Sequence, residues 1–159
     1  MLALNEEVGQ KLINRQQRIT SAESLTAGLF VSRLAEVSGI SSVLPGAFVT
    51  YSAAAKEQLV QVEPALIERY GVVSAPVAAA MAKGAKKALD TDWAISFTGV
   101  AGPASLEGKP AGTVFIGLAK PNGHLDTKAL LLTGDRQAVR SAAVEAGFDF
   151  IKAALAEEK

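Results

Sequence analysis

Short apolar runs separated by helical patterns recur along the whole chain, and that alternation limits the fold more than any other feature. Thr113 to Ala119 is almost wholly apolar, as a strand covered on both faces must be. Trp93 to Phe97 reads as a second buried strand and Ile19 with its neighbours as a short one. Leu44 to Ser52 carries β-branched and aromatic residues after Pro45-Gly46, and its alternation puts Ala47, Val49 and Tyr51 on one face. Leu125 to Thr133 follows the Pro121-Asn122-Gly123 turn and reads as the hairpin partner of Thr113 to Ala119. Between these runs lie helices. Leu4, Val8, Leu12 and Ile13 mark an amphipathic first helix, and Leu25 to Val37 reads as a second with Leu29, Phe30, Leu34 and Val37 buried. Ala53 to Val60 and Ala65 to Tyr70 follow, the latter opened by Pro64; an alanine-rich helix then runs from Ser74-Ala75-Pro76 to about Leu89. The last helix begins after Gly134-Asp135-Arg136, with Val139, Ala143, Ala146, Phe150 and Leu155 as its buried stripe. The order predicts one α/β domain over residues 1–159, a three-layer α/β/α sandwich on a mixed, mostly parallel sheet of about five strands.

Charge and residue types narrow the chemistry. Lys plus Arg and Asp plus Glu both number 16, so nothing in the net charge draws the chain to nucleic acid or anionic lipid. With no cysteine there is no thiolate nucleophile, no disulfide and no cysteine-ligated zinc. The segment Met1 to Gln10 carries Asn5, Glu6 and Glu7 in place of a basic patch and long apolar run, so neither a signal peptide nor a membrane span is expected, and a cytoplasmic protein is. Glu6-Glu7 and Glu157-Glu158 have no partner ligands at recognisable spacing, so no metal is expected.

Three polar clusters follow predicted strands: Ser21 to Thr26, Tyr51 to Lys56, and Thr98 to Pro103. Ligands of open α/β sheets sit beyond the carboxyl ends of the strands, so the three can share one crevice. In the first, Thr20 and Glu23 have the spacing of an S/T-x-x-E capping box. Ser24 then either begins a helix or is presented as a nucleophile near free backbone N–H groups. The only histidine, His124, stands beside a turn and gives a Ser-His-Asp triad little support. What remains is a hydroxyl activated by lysine, with or without a tyrosine relay, and Ser24, Tyr51 and Lys56 fit those roles. Spacing alone fits a solvated Lys56 and a packing Tyr51 as well. Thr98-Gly99-Val100-Ala101-Gly102-Pro103 reads as a loop whose glycines let N–H groups approach an anion, or as a plain strand-ending turn. Arg136 and Arg140, four apart, share a helix face that can hold a phosphate or pair with Asp135.

At these residues the sequence resembles the CinA C-terminal domain family. The resemblance runs through Ser21-Ala22-Glu23-Ser24, Gly46 to Ser52 with Lys56, Gly71-Val72-Val73-Ser74, Thr98 to Pro103, Lys109 to Val114 and Gly134-Asp135-Arg136. It implies an α/β/α sandwich and hydrolysis of nicotinamide mononucleotide to nicotinic acid mononucleotide and ammonia, without metal or organic cofactor, in a homodimer. By the same resemblance Ser24 matches the serine nucleophile, and Tyr51 and Lys56 match the residues that activate it. The candidate substrate-binding residues are Thr26, Gly46, Thr98, Gly99, Gly102, Arg136 and Arg140. The alternative is a nucleotide-binding or interaction module of the same family that has lost turnover. Two segments depart from the family pattern. Ser24-Leu25-Thr26-Ala27-Gly28 stands where Ser-Cys-Thr-Gly-Gly is common, and Ala104-Ser105-Leu106-Glu107-Gly108 replaces a slightly longer loop with a Gly-Gly pair. The molybdopterin-binding-like domain of the longer CinA proteins is absent from the sequence, so a stand-alone member or an excised domain is expected.

Overall fold

The computed structural model describes residues 1–158. Its sheet consists of β1 (Ile19–Glu23), β2 (Phe48–Val49), β3 (Trp93–Gly99), β4 (Thr113–Ala119) and β5 (Leu125–Leu131), in the spatial order β2-β1-β3-β4-β5. β1 pairs in parallel with β2 on one side and β3 on the other, whereas β4 runs antiparallel to both β3 and β5. Only β4 is therefore reversed. The helices are α1 (Leu4–Arg15), α2 (Leu29–Leu34), α3 (Ala53–Val60), α4 (Pro64–Tyr70), α5 (Ala75–Leu89) and α6 (Arg136–Glu157). Two apolar clusters, one on each face of the sheet, make this the three-layer sandwich that the alternation predicts.

On one face Val8, Leu12, Phe30, Leu34, Phe148 and Ile151 of α1, α2 and α6 pack on Ile19, Ile95, Phe97 and Ile116, with the Phe30 and Phe148 rings stacked at 4.5 Å. On the other, Val60, Val77, Met81 and Ala85 meet the small side chains Ala22, Ala94 and Ala119. Small residues on both sides let α5 lie close to the sheet, where the Ser96 hydroxyl donates to the Ala78 carbonyl at 2.5 Å.

Several element bounds differ from those read in the sequence. Residues 25–28 turn, and α2 spans Leu29–Leu34 in place of the expected Leu25 to Val37, because Ala27 and Gly28 adopt left-handed φ of 48° and 94°. Leu44 to Ser52 contributes only Phe48–Val49 to the ladder, while β3 continues through Thr98 and Gly99. On α6 the buried stripe includes Val144, Gly147, Phe148 and Ile151, and Ala146 and Phe150 are only partly buried.

Gly84 of α5 sets how closely that helix approaches α3, because a Cβ there would strike the backbone carbonyl of Val60, the last residue of α3. Gly84→Ala must push the two helices apart, and we expect a loss of about 2 kcal/mol, or roughly 5 °C in Tm by calorimetry. An unchanged Tm would mean that α3 is free to move.

Candidate active site

The carboxyl ends of β1, β2 and β3 lie side by side, and the chain leaving each supplies one wall of a cleft of about 310 Å³. Ser24, Tyr51, Lys56, Thr98, Gly99, Gly102 and Arg136 all line it. A larger hollow of about 600 Å³ around Trp93, Lys120 and His124 lies at the opposite end of the strands, where β3 begins, and is lined by no serine.

Ser24 is held from several directions. Its N–H continues the sheet by donating to Phe97 O at 2.9 Å, and its carbonyl accepts from Ala27 N at 3.0 Å, which closes the turn. Glu23, fully buried at the end of β1, accepts from the Ser21 hydroxyl at 2.8 Å, from Phe30 N at 2.9 Å and from Val31 N at 3.1 Å. The capping box is thereby corrected. Thr20 and Glu23 both lie in β1, Thr20 donates to Gly46 O at 2.8 Å, and Glu23 caps α2 across the turn in place of a helix starting at its own position. From the far side Arg140 of α6 donates to Leu25 O at 2.9 Å and to Thr26 O at 3.1 Å. Among the described residues the N–H groups of Leu25 and Thr26 have no acceptor. The Thr26 N–H shares a trans peptide with the carbonyl that Arg140 holds, so it points away from Arg140.

Lys56 reaches this serine from α3. Ser52 caps that helix, accepting from Ala55 N at 3.0 Å, and the Lys56 side chain turns inward to 1 % exposure. Nζ lies 3.1 Å from Ser24 Oγ and donates to Thr50 O at 2.8 Å. Burial against a hydroxyl and a carbonyl lowers the Lys56 pKa from the usual 10.5 to about 8, with the Glu107 carboxylate opposing the shift. Ser24 itself is 8 % exposed, open only to the cleft. A serine hydroxyl against a buried amine whose pKa is lowered to about 8 has the arrangement that a nucleophile and its base require.

Tyr51 makes no hydrogen bond to Ser24. It stands largely exposed at the mouth, where its phenol accepts from Arg136 Nη2 at 2.8 Å, while Nη1 of the same guanidinium donates to Gly102 O at 2.6 Å. Thr98 is buried in β3 and donates to Val72 O at 2.6 Å. Gly99 is a strand residue whose missing Cβ leaves room for Thr113 O, and the loop proper starts at Val100; Ala101 and Gly102 line the cleft with N–H groups lacking acceptors among the described residues.

Three expected substrate-binding residues do not line the cleft. Gly46 meets Thr20 and Leu89 near the amino end of β1. The Thr26 side chain is fully buried, its hydroxyl without a partner. Arg140 braces the Ser24 turn, and neither arginine pairs with Asp135, which caps α6 through Ala138 N at 2.8 Å. Glu23, by contrast, shapes the site in a way the spacing concealed. Among the described residues, His, Asp and Glu form no group of three able to hold a metal ion. No helix among them is long and apolar enough to cross a membrane.

Comparison with known proteins agrees with this architecture. A family model described as the CinA C-terminal domain matches residues 1–155. A putative competence-damage inducible protein of Levilactobacillus brevis is 52% identical over 96% of this chain and 36% of its own length, and one of Lactiplantibacillus plantarum is 51% identical over 98% and 36%. The chain thus spans little more than a third of these relatives. Among solved structures, a CinA-superfamily protein of Escherichia coli superposes with a TM-score of 0.88 at 36% identity, covering 92% of this chain and 85% of the other. One from Klebsiella pneumoniae gives 0.94 at 31%, covering 98% and 97%.

Proposed function

The chain belongs to the CinA C-terminal domain family, and on that footing we propose that it is an amidohydrolase converting nicotinamide mononucleotide to nicotinic acid mononucleotide and ammonia. The observation that carries the reading is the contact of 3.1 Å between Ser24 Oγ and the buried Nζ of Lys56, whose pKa lies at about 8. Neutral Lys56 takes the Ser24 proton as Oγ bonds to the carboxamide carbon. The oxyanion that forms is met by the free N–H group of Leu25, a cleft residue, which the brace from Arg140 and the cap from Glu23 hold ready before substrate arrives. Lys56 returns the proton to the departing amine, the C–N bond breaks and ammonia leaves. A water molecule then attacks the ester on Ser24, gives a proton back through Lys56, and releases the carboxylate with Ser24 restored.

Arg136 and the Ala101 and Gly102 N–H groups border the same cleft and suit the nucleotide phosphate. Tyr51 contributes at the mouth, where a ligand phosphate that engages Arg136 competes for the donor now holding the phenol.

Ammonia release from nicotinamide mononucleotide by the purified protein tests the reading. Turnover is expected, with kcat/KM rising through about pH 8 and level above it, because the base works only when Lys56 is neutral. Calorimetric binding without product would instead make the chain a nucleotide-binding module. A profile flat across that range would remove Lys56 as the base.

A further inference from the structure

The loop over residues 103–109 is built as a strap. Leu106 and Lys109 form an isolated antiparallel bridge, N–H to carbonyl at 3.0 Å and 2.9 Å, and the two residues between them, Glu107 and Gly108, both have positive φ, of 54° and 74°. This tight turn aims the Glu107 carboxylate at a different part of the chain. Oε2 accepts from Val72 N at 2.9 Å and Oε1 from Val73 N at 3.0 Å, so both oxygens grip consecutive backbone N–H groups. Gly71 makes the approach possible: at φ of 81° it has no side chain, and a Cβ there would lie 2.7 Å and 2.8 Å from the two carboxylate oxygens. The gripped turn is itself tied to the sheet through Thr98, whose hydroxyl donates to Val72 O.

The strap and the turn it grips form part of the cleft wall, for Ala104, Ser105 and Leu106 line it together with Val72 and Val73. Resting on the amidohydrolase reading, we infer that Glu107 is a positioning residue: by clasping Val72 and Val73 it holds the 103–109 loop as the outer wall of the cleft and sets how the nucleotide seats against Ser24.

The charge of the clasp reaches the base as well. Tyr51 and Arg136 line the cleft with Lys56, and Glu107, whose own partner is the Lys109 ammonium at 3.7 Å, is the carboxylate that holds the Lys56 pKa up against burial. Burial works to raise the Glu107 carboxyl, but the Val73 and Val72 N–H groups and Lys109 together hold it below the usual range. The clasp is therefore ionised throughout the interval in which Lys56 titrates. Removing its charge should let Lys56 lose its proton at lower pH.

The test compares the full chain with Glu107→Ala and Glu107→Gln, each confirmed as folded by circular dichroism. Two readouts are needed: steady-state kinetics with nicotinamide mononucleotide across mildly acid to alkaline pH, and an NMR titration of Lys56 in protein with labelled lysine, assigned with Lys56→Met. Loss of the clasp in Glu107→Ala is expected to raise KM about tenfold with a smaller change in kcat, as for a misplaced wall rather than a missing catalytic group. In Glu107→Gln the acid limb of kcat/KM and the Lys56 midpoint should move to lower pH together. An unchanged KM in the alanine variant, or a Lys56 midpoint that stays put in the glutamine variant, would overturn the inference. If the wild type releases no ammonia, the proposed reaction fails, and calorimetric affinity for the mononucleotide replaces KM. Weaker binding to Glu107→Ala with a lowered Lys56 midpoint in Glu107→Gln would then sustain the clasp, and equal binding would end it.

Discussion

Lys56→Met is expected to remove turnover almost entirely while making the protein more stable at neutral pH. The first half follows from role: without an acceptor for its proton Ser24 is a poor nucleophile, and the rate should fall on the order of 10³- to 10⁴-fold, close to the level of Ser24→Ala. The second half follows from burial. Lys56 is 1 % exposed and its pKa falls from 10.5 unfolded to about 8 folded. Below the folded value both states are protonated, and holding the ammonium inside costs about 3 kcal/mol relative to water. Between the two values the unfolded state binds the extra proton, so wild-type stability rises with pH across that window. Methionine fills a similar volume without the charge, but it strips Thr50 O of its donor, which returns about 1–2 kcal/mol of the gain. The variant should therefore be more stable than wild type by about 1 kcal/mol at pH 7, the advantage should vanish near pH 9, and by pH 10 the variant should be the less stable by about 1–2 kcal/mol. Denaturant midpoints at these pH values, beside ammonia release, check both halves. A variant less stable at pH 7, or one retaining a tenth of the activity, would contradict the assignment of Lys56 as a buried base.

Such a trade of stability for chemistry is visible in the sequence only indirectly. The layers could be read because a strand covered on both faces has to be apolar, and Trp93 to Phe97 and Thr113 to Ala119 are. Lys56 offered no such sign, since a lysine among helix formers looks the same whether it is solvated or turned inward. The lack of cysteine and of a well-placed histidine left it one candidate beside the solvated reading, the resemblance added to that, and the burial gives the physical reason. The turn after Ser24 reads as helix because the spacing of Leu29, Phe30, Leu34 and Val37 is helical, and nothing in the residue type announces that Ala27 takes a left-handed φ of 48°. Gly46 and Arg140 share segments with cleft residues, yet one sits by the amino end of β1 and the other behind the turn, which linear proximity does not distinguish. Glu107, an exposed-looking acid in an ordinary loop, becomes meaningful only when folding brings Val72 and Val73 to it.

Glu23 is where misreading the spacing hid the most. Its carboxylate satisfies the Phe30 and Val31 N–H groups in the first turn of α2 and the buried Ser21 hydroxyl, so Glu23→Ala leaves three donors unpaired, two of them buried, and a void beside them. With each orphaned group costing about 1–3 kcal/mol, a loss of roughly 4–5 kcal/mol is expected, larger than that for Gly84→Ala. Glu23→Gln separates the structural from the catalytic consequence. The amide keeps one oxygen for one of the helix N–H groups but turns an NH₂ toward the other, so the cap is half lost and about 2 kcal/mol should go with it. The same defect loosens the turn that aims Ser24 and the Leu25 N–H group. Measured well below its melting temperature, the glutamine variant should show kcat reduced roughly 10- to 100-fold with KM nearly unchanged, since the cleft walls at Arg136, Thr98 and Glu107 do not rest on Glu23. A rise in KM at constant kcat would mean that the turn binds substrate rather than aligning the nucleophile. Full kcat with the stability loss intact would reduce Glu23 to a helix cap. The expected pattern instead makes one buried carboxylate serve two ends: it starts α2 after a backbone that no ordinary helix could follow, and it fixes Ser24 in that break facing Lys56.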